Sequence, residues 1–531
     1  MNYYIFRNTT VELLFQNIKP KYSDYGDVLN FDQSFDCYMF FYNIINKSDR
    51  KLILSEIESY KKMVHFIINK MDSNKLFILF TLDRTYKLNF SNSDNTVDKA
   101  IFNFNQELNL LELHNTNIKV VKITDFYDDF SSESIIDWKY NFTSKIEISP
   151  TYIDKFNFWF SNQMRSIELK RKKCLVLDLD NTLWGGVLGE DGIDGIHIGN
   201  TYPGNAFLFF QQALLELKKS GIILTVCSKN NENDVFELWE KHSDIILKKN
   251  DFIIHKINWK NKAENILEIS KELNIGLDSM VFIDDNPTER EFVKKSLPEL
   301  TVPVFPEEPY LLPVFFKDIL NNFFSVHNLT SEDLNKSKQY LDNNKRQKFH
   351  ESFKSVDKFI SELNINLIIE KLNDSNISRF SQMTQKTNQF NLTTKRYSEA
   401  DINSVRNNSE IFGLRVKDKF GDSGITGLAI IKLHNDEAFI DTFLLSCRVL
   451  GKRIEFEFMN YILLKLSKMG IKNVIAEYVP TKKNIQTEKF YENFQFEYSY
   501  DTENIKKYFL KLNEQKYELS PQTYKLIDYD N

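Results

Sequence analysis

The run RKKCLVLDLD, residues 171–180, constrains the fold more than any other stretch of this chain. Its apolar core, 174–179, shows no alternation with polar residues, which is what a strand covered by helices on both faces requires. An amphipathic stretch closed by Gly221 follows and predicts a helix over 204–220. The alternation then continues as strand IILTVCS, helices ENDVFELWEKH and KAENILEISKELN, and strand SMVFID. Such a succession predicts an α/β, doubly wound parallel-sheet domain over 166–325.

Sheets of this kind place ligands at the carboxyl ends of their strands. The first strand ends there in Asp178-Leu179-Asp180-Asn181-Thr182. Two carboxylates two residues apart at a strand-to-loop turn can hold one hard cation, although a lone D-x-D is also a common solvated turn. The ordered set is more specific. Ser228 closes the next apolar strand, Lys262 opens a later helix, and Asp284-Asp285 ends SMVFID. Phosphoryl transfer onto a carboxylate needs a nucleophilic aspartate, a cation, a proton donor for the leaving oxygen and a cationic clamp. All four residue types stand at strand or loop ends. A response-regulator receiver combines similar residues, but its phosphoacceptor does not sit on the first strand beside a second aspartate.

At 531 residues the chain is several times the ~150-residue domain size, so further domains are expected. Short apolar runs such as KLFILFTL and IKVVKIT alternate with helical stretches over 1–165, predicting a leading α/β domain. Residues 326–360 are so polar that they read as a charged, solvated helical connector. Strands LIIEKL, IFGLRVKD, TGLAIIKL and AFIDTFLLS, a helix at 453–469, strand IKNVIAEY and a helix at 482–493 predict a mixed-sheet domain over 361–531. The net charge of −6, with basic and acidic residues interspersed, provides no field for nucleic acid. No apolar run approaches the ~18 residues of a membrane span, and the first residues lack the order of a signal peptide. Four dispersed cysteines, with no zinc spacing, fit a reducing cytoplasm.

The order D-x-D-x-T, Ser, Lys, Asp-Asp resembles the haloacid-dehalogenase-like (HAD-like) phosphatase superfamily, a Rossmannoid fold. The resemblance implies Asp178 as nucleophile, Asp180 as acid and base, and Thr182, Ser228, Lys229 and Lys262 around the phosphate. It also implies Mg2+ at Asp178, Asp180, Asp284 and Asp285, with Asp180 contributing its main-chain carbonyl. The words CLVLDLDNTLWGGVLGEDG, INWKNKAENI, TQKTNQFNLTTKRY and FLLSCRVLGKRIE narrow this to similarity with the FkbH-like family from about residue 165 onward. What that resemblance implies is a phosphatase joined to a GNAT-like acyltransferase. Such a protein moves a three-carbon glyceryl unit from a phosphorylated metabolite resembling 1,3-bisphosphoglycerate to the phosphopantetheine of an acyl carrier protein, in polyketide or other secondary-metabolite assembly. The alternative is a phosphatase of a small metabolite with a C-terminal binding module.

Cys447 is suited to attack an acyl phosphate and hold a thioester, with Arg448 beside it; as a small buried hydrophobe it would need no such role. Cys37, Cys174 and Cys227 lie on core strands and read as packing. Arg448-Val449-Leu450-Gly451 resembles the pyrophosphate loop of acetyltransferases, but Arg453 stands where a second glycine is expected, which favours a pantetheine arm over coenzyme A. Asn388 and Gln389 are candidates to line a substrate pocket, as are Tyr478 and Asn484. The leading domain loosely resembles SGNH-type hydrolases without their chemistry, since Tyr140 stands where D-x-x-H would present histidine. Trp184-Gly185-Gly186 is expected to form a short flap over the phosphatase site.

Overall fold

The computed structural model describes residues 1–72, 74–87, 95–128, 130, 135–168, 171–329, 334, 339–340, 342–343, 345–346, 349, 353, 355–502, 505–512, 520 and 523–528. The chain divides into two compact units, Met1–Ile167 with Tyr397–Val405, and Glu168–Arg396 with Arg406–Asn531. The parallel-sheet and mixed-sheet regions, which read as separate domains in the sequence, therefore share the second unit. Among the described residues no helix is long and apolar enough to cross a membrane.

In the first unit, strands Lys21–Tyr22, Tyr3–Arg7, Cys37–Phe41, Leu76–Phe80 and Ile118–Val121 lie side by side in that order, all parallel. Alternate side chains feed two cores. Phe77 and Leu79 pack with helices Arg50–Lys70 and Thr96–His114, whereas Ile78 and Phe80 pack with helix Ile153–Ile167. Asp137 of the expected degenerate hydrolase motif caps helix Trp138–Ser144, accepting from the Lys139 and Tyr140 amides at 3.0 and 3.2 Å. Helix capping accounts for this aspartate without catalysis.

In the second unit four parallel strands run in the order His255–Ile257, Ile223–Ser228, Cys174–Leu177, Met280–Ile283. Leu175 and Leu177 point into one buried cluster, with Phe207, Phe210 and Leu214 of helix Gly204–Lys219. Cys174 and Val176 point into the other, with Ile266 and Ile269 of helix Lys262–Leu273. Two-sided burial is the reason the sequence shows no alternation here.

The mixed sheet follows the order Glu497–Thr502, Ile505–Lys511, Asn473–Tyr478, Glu437–Leu445, Gly421–His434, Ser409–Asp418, Ile365–Lys371, Tyr524–Asp528. Two of its neighbouring pairs are parallel, and the first of these, Glu437–Leu445 with Asn473–Tyr478, pairs only as far as Ile440. Beyond that point the strands splay, and the chain fills the gap itself. Phe390 and Asn391 pair with Leu445 and Leu444, and Leu392 bonds the Phe443 carbonyl on one side and the Val479 amide on the other, at 3.2 and 2.8 Å.

Two expectations change. The helix expected over 482–493 is a pair of short 3-10 turns, Ile485–Thr487 and Tyr491–Phe494. Asn484 breaks it by drawing the preceding turn onto its own amide, as described below. The connector is also partly buried rather than wholly solvated: among its described residues Leu329, Leu334 and Val356 are exposed, but others are not. Tyr340 is buried in the phosphatase-side core, and Arg346 forms a buried pair with Asp418, its Nε and Nη2 donating at 2.6 and 2.8 Å. A polar-rich helix can be buried when its few apolar and charged side chains find such partners.

Candidate active site

Three strand ends build the site. Leu177 hands over to Asp178, Ser228 closes its own strand, and Ile283 hands over to Asp284, so tertiary pairing of adjacent strands brings the motif residues together. The carboxylates of Asp178, Asp284 and Asp285 each offer an oxygen, all within 4.8 Å of one another. Lys262, on the first turn of its helix beneath the Asn261 cap, is almost wholly buried. Its Nζ lies 2.5 Å from Asp284 Oδ2 and 3.1 Å from Asp178 Oδ1. Burial opposes its charge, but those two carboxylates outweigh burial and raise its pKa above the ordinary lysine value.

Three carboxylates against one ammonium leave surplus negative charge. Burial, followed by the charge of Asp178, pushes both Asp284 and Asp285 up to about 6. Apart from the Lys262 ammonium at 3.1 Å, the buried Asp178 Oδ1 has no hydrogen-bond donor among the described residues. A convergent, all-oxygen, anionic donor set fits a hard divalent cation such as magnesium. Asp178, Asp284 and Asp285 would hold it. Such binding displaces protons from Asp284 and Asp285, so affinity for magnesium is expected to fall as pH drops through about 6, by up to about tenfold per unit for each proton released. Calorimetric titrations with magnesium between neutral and mildly acidic pH check this; a pH-independent affinity contradicts it.

Asp180 points elsewhere. Its Oδ1 accepts from Trp184 Nε1 at 2.9 Å and the Leu188 amide at 3.1 Å, and its Oδ2 accepts from Asn230 Nδ2 at 2.7 Å. Its side chain is thus outside the carboxylate cluster, which is compatible with the resemblance assigning its main-chain carbonyl, not its carboxylate, to the metal. Burial, aided by Asp178, raises its pKa, the direction a proton donor needs. In the segment expected to form a flap, Gly185 and His197 exchange main-chain hydrogen bonds of 3.0 and 2.7 Å, and the neighbouring Trp184 indole orients Asp180. Trp184 and Asn230 were missed from sequence; a polar residue two beyond Ser228 was the available signal for Asn230. Thr182 is buried, and its Oγ1 accepts from the Asp285 amide at 3.2 Å, which ties the two loops together. Lys229, partly exposed, is paired with Glu289 at 2.5 Å.

The remaining candidates separate into two groups. Cys447, Arg448, Asn388 and Gln389 line one cavity of about 280 Å³. Tyr478 and Asn484 do not. Asn484 accepts from the Thr481 amide at 2.7 Å and donates to the Asn391 and Val479 carbonyls, each at 2.9 Å, while the Tyr478 hydroxyl donates to the Asn484 carbonyl at 3.2 Å. Both are buried with their polar atoms satisfied, a knot that holds the splayed strands rather than a substrate pocket. Gly451 adopts φ 79° outside the cavity wall, and Arg453 adopts φ 54°, the left-handed conformation that glycine favours. Cys37, Cys174 and Cys227 are buried; burial pushes the Cys174 thiol up to about 12 and raises Cys227 as well.

The sequence model of NLI interacting factor-like phosphatases matches residues 173–301. Among solved structures, the N-terminal part of a Bacteroides fragilis protein containing a phosphatase domain, complexed with Mg, is 26% identical, with a TM-score of 0.54, over 62% of this chain and 94% of that one. A Staphylococcus aureus N-acetyltransferase (14% identical, TM-score 0.22) and a Bacillus subtilis acetyltransferase in complex with CoA (12%, 0.22) each align with 28% of this chain and 99% of their own. No curated protein matches. Residues 173–301 form a HAD-like phosphatase domain.

Proposed function

We propose that the protein is a magnesium-dependent phosphatase coupled to acyl transfer, of the FkbH-like kind, and that it delivers a glyceryl-type unit from a phosphorylated three-carbon donor to an acyl carrier protein in the cytoplasm. The observation that carries the phosphatase half is the triad of Asp178, Asp284 and Asp285 around Lys262. Magnesium, when bound, offsets the charge of the phosphate against these carboxylates. Asp178 attacks phosphorus and the bond to the leaving oxygen breaks. Asp180 gives that oxygen its proton and later takes one from the water that cleaves the aspartyl-phosphate. Lys262 clamps the phosphate oxygens, and Trp184 and Asn230 keep Asp180 oriented.

The acyl-transfer half rests on Cys447 lying in a cavity beside Arg448, Asn388 and Gln389. Coenzyme A suits this region poorly. The first turn of helix Ile454–Lys468 carries Glu455 and Glu457, whose negative charge opposes a pyrophosphate bound at that helix start. A carrier-borne phosphopantetheine has no pyrophosphate. Intact-mass analysis of the protein and candidate carrier proteins, after incubation with 1,3-bisphosphoglycerate and magnesium, tests the reading. A glyceryl thioester on the protein that is absent in Cys447→Ala is expected. Phosphate release with no thioester on any protein would instead establish the plain phosphatase.

A further inference from the structure

The cavity beside Cys447 lies at the opposite end of the phosphatase strands from Asp178. Its walls include Lys172 and Lys173, which precede strand Cys174–Leu177, and Ser279, which precedes strand Met280–Ile283. With a rise of about 3.3 Å per residue, the five steps from Lys173 to Asp178 separate the two places by about 17 Å. Phosphate bound by the Asp178 cluster therefore cannot be held in this cavity at the same time.

The lining is cationic. Among the described residues around it stand seven lysines and arginines against one aspartate and one glutamate. One of the acids, Asp278, is engaged with Lys483 at 2.5 Å. Arg448 is 7% exposed; its Nε donates to Ser446 Oγ at 3.2 Å, but its Nη1 is buried with no hydrogen-bond partner among the described residues. A buried guanidinium N–H left unmade is costly, and anionic oxygen is its natural acceptor. Cys447 begins the adjoining 3-10 turn, and the buried Tyr340 lines the same cavity. The phosphatase domain grips the same turn: Asn274, just past helix Lys262–Leu273, donates from Nδ2 to the Cys447 carbonyl at 3.2 Å.

We propose that this cavity is a second phosphate-binding site, in which Arg448 together with Lys172 and Lys173 of the phosphatase domain holds a phosphate monoester or acyl phosphate beside Cys447. Taking from the proposed function only that Cys447 receives an acyl group, the step balances. The Cys447 sulfur attacks the acyl carbon, the bond from that carbon to the phosphate oxygen breaks, and phosphate leaves with the bonding pair and the thiol proton. The phosphatase domain thereby serves two chemistries, one at each end of its sheet. The phosphate comes either from the acyl donor or from a phosphopantetheine arm.

The test is protection of Cys447 in the full chain from alkylation by iodoacetamide, read at the Cys447 peptide by mass spectrometry. Acetyl phosphate, inorganic phosphate, phosphopantetheine and unphosphorylated pantetheine are the probes. At least one phosphate-bearing probe is expected to slow alkylation about tenfold, with pantetheine without effect; Arg448→Gln should abolish the protection and Lys172→Gln, at the rim, should weaken it. Protection by acetyl phosphate assigns the donor phosphate, and protection by phosphopantetheine alone assigns the arm. Equal alkylation with and without every phosphate probe, or protection unaltered in both variants, overturns the proposal. A Cys447 thioester seen without phosphate protection would refute this site and leave the acyl-transfer reading standing; protection without a thioester would do the reverse.

Discussion

Asp178→Asn is expected to lower magnesium-dependent phosphate release by about 10³ to 10⁶, because the substitution removes the oxygen that forms the covalent bond while keeping the side chain's size. Loss of fold is not the reason. Asp178 is the charge that, after burial, does most to raise Asp284 and Asp285, so neutralising it relieves repulsion in the metal-free site while Lys262 keeps its 2.5 Å contact with Asp284. The thermal midpoint in chelator should therefore be unchanged or higher. Phosphate release measured beside a melting curve checks both halves. Retained turnover places the nucleophile elsewhere, and a collapse of the midpoint would mean that Asp178 is chiefly structural.

Lys262→Met is expected to act on stability and turnover together. The change leaves Asp178 and Asp284 buried beside each other with no cation between them, and breaking a buried pair in this way costs about 3–5 kcal/mol. The metal-free variant should melt well below the wild type. Magnesium should recover more of the midpoint in the variant than in the wild type, since the cation then supplies the positive charge that Lys262 gave to Asp178 and Asp284. Turnover should stay low even with magnesium saturating, for the phosphate has lost its clamp. Equal metal-induced shifts in the two proteins would show that Lys262 and the cation site are independent.

How much of this was legible in the sequence follows from what each residue depends on. Asp178, Ser228 and Asp284 sit at the ends of continuous apolar runs, so strand prediction alone placed them at one edge of one sheet, whereas Lys262 was legible only as the opening residue of a helix. The partners of Asp180 were not legible, because Trp184 and Asn230 reach it through loop geometry that no periodicity reports. The two-residue strand Phe390–Asn391 is too short to carry a pattern, yet it fills the splay of the mixed sheet. The connector misled for a different reason. Its composition reads as solvated, and only tertiary contacts show Tyr340 and Arg346 buried. Tyr478 and Asn484 looked like site residues because they stand at a strand end, where their real work is to satisfy the main chain of a sharp turn.

The proposed chemistry rests on acidic groups and one lysine making Asp178 a phosphoryl acceptor. Rapid acid quench of the protein with magnesium and acetyl phosphate, followed by peptide mapping, reads this out at the residue itself. One hydroxylamine-sensitive phosphoryl group is expected on the peptide containing Asp178, absent when magnesium is chelated. A phosphoryl group on any other residue, or phosphate release from enzyme that never becomes labelled at Asp178, would contradict it.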